Sequence, residues 1–147
     1  MIRGRLITTG GRRRPFVLAH ISIPSQNVSD EVNLLVDTGA DGTLLAPSDA
    51  AILRINIAQL PPGPPTTGVG GSVPTVYAQA TLTIDTIRYQ LPLRILAPRS
   101  RVQQQALARI PSLLGRDILS HFALFFEERT DRVLLLTSRE ADALNLP

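Results

Sequence analysis

With 147 residues, 44% of them hydrophobic and 18% charged, the chain is long enough for one domain with its own core and too apolar for a disordered tract. It has no cysteine and only two histidines, His20 and His121, which excludes disulfides and cysteine-ligated metals and leaves no histidine cluster, so neither metal nor cofactor is expected. The net charge of +3 is uneven: residues 1–14 carry Arg3, Arg5, Arg12, Arg13 and Arg14 without an acid, and ten further arginines face twelve acids.

Lysine is absent, so every formal cation besides the amino terminus is an arginine. Residues 1–14 read as a basic, flexible N-terminal arm. No aromatic residues interleave these arginines and no recognition motif accompanies them, so a nucleic-acid partner is not expected. No apolar run approaches the ~20 residues of a membrane helix. The start Met1-Ile2-Arg3-Gly4-Arg5 lacks the apolar stretch of a secretory leader. The expectation is a soluble, cytoplasmic protein without membrane contact.

From Phe16 to Ile23, Val17, Ala19, Ile21 and Ile23 fall on one face, as in a half-buried strand. Pro24-Ser25-Gln26-Asn27 is turn material, and Val32 to Val36 forms a second strand ending at Asp37. Pro47 to Leu53 suits a short helix with Ser48 as its N-cap. Leu60-Pro61-Pro62-Gly63-Pro64-Pro65 reads as a rigid surface loop outside regular structure. Beyond Gly68-Val69-Gly70-Gly71, apolar residues alternate from Val76 to Ile84 and again from Ile87 to Ile95, with Asp85-Thr86 between them: a long hairpin. Pro92 requires a free edge or a bulge in its strand. Pro98 to Arg109 is polar and reads as a loop or irregular helix. Leu113-Leu114 is a short strand before Gly115, and Arg116 to His121 a short helix. Phe122 to Phe126 and Val133 to Thr137 are strands about a turn at Arg129-Thr130-Asp131. One mostly-β domain over 15–138 follows, with a fraying tail over 139–147.

The informative segment is Leu34-Leu35-Val36-Asp37-Thr38-Gly39-Ala40-Asp41-Gly42-Thr43. An acid at the end of an apolar strand, then a small hydroxyl residue and a glycine, suits a carboxylate held at a turn in a cleft. The triplet occurs once, and one carboxylate alone does little hydrolysis. The segment resembles the active-site signature of the retropepsin-like, single-domain aspartic proteases. Leu113-Leu114-Gly115-Arg116-Asp117 is similar to the apolar-apolar-Gly-Arg segment near the C-terminal end of those enzymes. Gly68-Val69-Gly70-Gly71 stands between the two, like their flap.

The resemblance implies an all-β acid-protease lobe, a closed β-barrel with one or two short helices, acting as a homodimer on a peptide or protein substrate. It implies an aspartic endopeptidase whose catalytic Asp37 meets the same residue of a second copy. Two carboxylates in contact share one proton, so one is general base to a water and the other polarises the carbonyl. A bell-shaped rate profile with an acidic optimum goes with such a pair. Thr38 would bond across the dimer or, alternatively, only within its own turn. Gly39 and Ala40 leave room for substrate, and Thr43 and Leu44 support the turn. Asp41 and Arg116 would form an ion pair partly withdrawn from water, or stand as separate surface charges. Gly68, Val69, Gly70 and Gly71 would close over substrate, or make an ordinary glycine turn. Leu114 and Gly115 would form the supporting loop. Phe122 to Phe126 corresponds to the strand those enzymes use in their dimer sheet, or its aromatics are simply core. The alternative function is a catalytically silent dimerisation or peptide-binding module of the same fold.

Overall fold

Alternation along the strands decides what is buried. Val17, Ala19, Ile21 and Ile23 are all closed to solvent, as are Ala78, Ala80, Leu82 and Ile84 and, opposite them, Leu93 and Ile95. The computed structural model describes residues 1–68 and 71–147. In chain order the elements are β1 (Ile2–Arg3), β2 (Arg5–Thr9), β3 (Arg12–Ile23), β4 (Val28–Val36), β5 (Leu44–Leu45), α1 (Pro47–Ile52), β6 (Pro62–Gly68), β7 (Gly71–Ile84) and β8 (Ile87–Leu96). Then follow α2 (Arg101–Ala106), β9 (Leu113–Leu114), α3 (Arg116–Leu119), β10 (Ala123–Glu127), β11 (Arg132–Leu136) and α4 (Ser138–Asp142). The fold is mostly β, as its residues suggest.

The larger sheet runs β2-β3-β4-β9-β5-β8-β7-β6, and a further β3–β7 pairing brings it back on itself. That return and several links are short: three register pairs join β3 to β7, two join β4 to β9, and one joins β5 to β9. The lobe is a strongly curled sheet around one core, of the all-β class expected, and its closure through β3–β7 rests on few residues. Among the described residues four short α-helices stand at its margins, where one or two were expected. A separate three-stranded sheet has the order β1-β11-β10.

The N-terminal arm is paired into both sheets. Ile2 is buried, β1 pairs with β11, and β2 pairs with β3 from Arg5↔Phe16 to Thr9↔Arg12. The Gly4 amide donates to the Val133 carbonyl at 2.7 Å, and a Cβ at Gly4 would lie 2.5 Å from the Phe16 carbonyl oxygen. Arg13 forms an ion pair with Asp131. Hydrophobic Ile2, Leu6 and Ile7 stand among the arginines, Ile2 buried and Leu6 and Ile7 half-buried, and that apolar content docks the segment.

The proline-rich stretch is also regular, in part. Pro62 to Gly68 is strand β6 at the edge of the large sheet, with a register shift between Gly63 and Thr66. An edge strand has only one neighbour, so prolines lacking N–H groups are accommodated on its open side and in the bulge. The buried Thr75 hydroxyl donates to the Pro64 carbonyl at 2.7 Å and anchors that bulge. Pro92 obeys the same logic: β5 pairs with β8 only at Arg94 and Ile95, which leaves Pro92 an open side. Helix α1 is capped by Ala46 with Pro47 at its first position, not by Ser48. The tail stays ordered through α4, where Thr137 and Glu140 make a capping box.

Candidate active site

Strand β4 ends at Val36, and the chain must turn because β9 enters alongside it, Leu35 opposite Leu113 and Val36 opposite Leu114. The Asp37 amide donates to the Leu114 carbonyl at 3.1 Å. The Ala40 amide returns to the Asp37 carbonyl at 3.2 Å, and the Gly39 amide donates to Asp37 Oδ1 at 2.9 Å. One oxygen of the carboxylate is thus held by the turn that carries it. Thr38 and Gly39 are exposed, and the Thr38 hydroxyl makes no hydrogen bond among the described residues.

The turn rests on the segment 113–118. Gly115 is buried, and a Cβ there would lie 2.4 Å from the Gly42 carbonyl carbon, so only glycine lets the two loops pass. The Gly115 amide donates to Thr43 Oγ1 at 3.1 Å, and the Thr43 hydroxyl donates to Asp117 Oδ1 at 2.7 Å. The same Asp117 oxygen accepts the Thr43 and Ile118 amides at 3.0 and 2.9 Å. The Arg116 and Asp117 amides donate to the Ala40 and Asp41 carbonyls at 2.9 and 3.1 Å. Arg116 and Asp41 do form an ion pair, but on the surface, with 60% and 88% of their side chains exposed. The expected withdrawal from water is absent, and such a pair adds little to stability.

Asp37 opens into a cleft of about 700 Å³ lined also by Gly39, Asp41, Leu44, Leu113 and Arg94. Its other wall is Pro65, Thr66 and Thr67 of β6. Strands β6 and β7 pair up to Gly68↔Gly71, so this hairpin stands over the turn that holds Asp37. Of the four glycine-run residues, Val69 and Gly70 lie outside the described residues. Among the described residues no group of three His, Cys, Asp or Glu side chains could hold a metal ion, and no helix is long and apolar enough to cross a membrane.

Three functional side chains were not singled out from sequence. Asp117 accepts three bonds that fix the loop. Ser112 is fully buried; it accepts the Ala46 amide at 2.8 Å and donates to Asp49 at 2.5 Å, tying α1 to β9. Its only sequence signal is a hydroxyl in the apolar run Ile110-Pro111-Ser112-Leu113. Arg94 reaches the cleft because Leu93 and Ile95 alternate into the core on either side of it. The reading of Phe125 and Phe126 as core is overturned: they are 39% and 48% exposed.

A family model described as aspartyl protease matches residues 23–118. No curated protein matches the chain. Among solved structures, EIAV protease complexed with the inhibitor HBY-793 is 25% identical, with a TM-score of 0.53 over 78% of this chain and 92% of that one. A retropepsin-like aspartic protease from Rickettsia conorii is 18% identical, with a TM-score of 0.54 over 90% of this chain and 87% of that one; at that identity it speaks for the fold alone. The matched span begins at the last residue of β3 and ends in α3, so it takes in the Asp37 turn, the β6–β7 hairpin and the Gly115 loop together. By that match and that geometry the chain belongs to the aspartyl protease family, in its retropepsin-like form.

Proposed function

We propose that the protein is an aspartic endopeptidase whose active site is completed by a second copy of the chain. The observation that carries this reading is Asp37 itself: one carboxylate, fixed by the Gly39 amide, on the floor of a cleft walled by β6. A second acid of the same turn, from a two-fold mate, supplies what one chain lacks. The ionised carboxylate takes a proton from water as its oxygen attacks the scissile carbonyl carbon. The protonated one gives its proton to the carbonyl oxygen, producing a tetrahedral diol. Collapse breaks the C–N bond while a proton passes to the leaving nitrogen, releasing acid and amine. Thr38, exposed and without a side-chain hydrogen bond among the described residues, bonds the opposite turn. The β6–β7 hairpin, paired up to Gly68↔Gly71, closes on substrate, and Arg116 forms its ion pair with Asp41 at the rim.

The homodimer reading is supported by β10. It pairs with β11 alone, and Leu124, Phe125 and Phe126 are 37%, 39% and 48% exposed in succession. Neighbouring residues of a strand face opposite sides, so both faces of this open edge are partly exposed. A bare apolar edge without proline or lysine is a template for another strand, and an antiparallel copy of itself is the isologous solution.

The deciding experiment is incubation of wild-type protein and Asp37→Asn with a randomised peptide library, read by mass spectrometry. Cleavage by wild type and none by the variant is expected. Equal turnover by both would overturn the catalytic assignment. Binding without cleavage by either would leave a peptide-binding module.

A further inference from the structure

Three charged side chains line the cleft: Asp37, Asp41 and Arg94. Asp41 is paired with Arg116, and on the proposed reading Asp37 is engaged by the reaction. Arg94 is half-buried and has no carboxylate partner among the described residues. Its surroundings are otherwise apolar or neutral: Leu44 and Leu113 beside it, and Pro65, Thr66 and Thr67 of β6 across from it. A half-buried cation in the cleft beside Asp37, without a carboxylate partner among the described residues, lacks an anion.

We propose that Arg94 forms a subsite for an acidic side chain of the peptide, so that the protein selects substrates carrying Glu or Asp near the cleaved bond. The proposal rests on the endopeptidase reading of the same cleft. The sheet register fixes roughly where the acid must stand. Arg94 is opposite Leu44, and Leu44 is opposite Leu113, whose strand holds the Asp37 turn. Asp37 follows β4, one strand further, so three strand spacings separate Arg94 from it, roughly 14 Å, which an extended peptide covers in about four residues. A guanidinium meets a carboxylate through two parallel N–H···O bonds, which a neutral amide cannot reproduce. Two-fold symmetry gives each half of the assembled cleft its own Arg94. The acid preference therefore appears on both sides of the scissile bond.

The test uses positional-scanning pools of fluorescent decapeptides with Glu, Gln or Lys fixed at one position at a time. Ratios of kcat/KM within one protein are compared, since these do not depend on how much of a variant is folded. For wild type, Glu should exceed Gln by about tenfold at a position within about four residues of the bond on each side. That ratio should fall to about one in Arg94→Ala, and Arg94→Glu should prefer Lys. The wild-type preference should fade below about pH 4, where the peptide glutamate takes up its proton. Equal cleavage of Glu and Gln pools at every position, or a Glu preference retained by Arg94→Glu, would overturn the subsite. The same pools are titrated by fluorescence anisotropy against Asp37→Asn. Glu-selective binding with no cleavage by wild type would keep the subsite and sink the endopeptidase reading. Binding without selectivity would sink the subsite.

Discussion

At the residue scale, the site depends on a few atoms that leave no alternative. Gly115 and Gly42 make a paired test, because a Cβ at Gly115 meets the Gly42 backbone whereas a Cβ at Gly42 meets nothing within 4 Å. Gly115→Ala is expected to cost about 1–3 kcal/mol in urea unfolding, since two backbones must separate. Gly42→Ala should cost less than about 1 kcal/mol. Equal effects would mean that the close approach is not what glycine is there for. The Asp37 turn and Gly115 were legible in sequence because each is a short run with a distinctive chemistry. Asp117 and Ser112 were not, because their partners Thr43, Ala46 and Asp49 lie 63–74 positions away in the chain.

At the element scale, the long strands followed directly from their period of two, and the misreadings came from prolines and arginines. Pro62, Pro64 and Pro65 forbid a central strand but not an edge strand with a bulge, and β6 is the edge. The arginines of residues 1–14 hid Ile2, Leu6 and Ile7, the apolar side chains of β1 and β2. The turn from β10 to β11 carries a pH-sensitive element. Glu127 is held below its ordinary value of 4.5, chiefly by the Thr130 hydroxyl at 2.5 Å, then by Arg129 and Arg132. A lowered carboxylate stabilises the fold above its ordinary value and loses that contribution as pH falls through the lowered one. Melting curves should therefore separate wild type from Glu127→Gln at pH 6 and converge toward pH 2. Because the group is exposed the separation should be small, and a gap that widens on acidification would contradict the assignment.

At the scale of the whole molecule, the proposed function makes activity an equilibrium with dimerisation. Phe126→Glu places a charge on the open β10 edge at a residue already 48% exposed. Sedimentation should show it monomeric at concentrations where wild type is dimeric, with peptide cleavage lost while thermal stability of the lobe is kept. A dimer of undiminished activity in Phe126→Glu would move the interface elsewhere. By itself the sequence determined the mostly-β class, the core faces of β3, β7 and β8, and the Asp37 and Gly115 motifs, since each is a local pattern set by side-chain period or by backbone room. Only the tertiary structure decided that the arm is part of two sheets, that the prolines sit on an edge, that the β10 aromatics are bare and that Arg94 faces Asp37's cleft. Those are outcomes of which strand lies beside which, and neighbours in a sheet are chosen by packing across the whole chain rather than by any one segment.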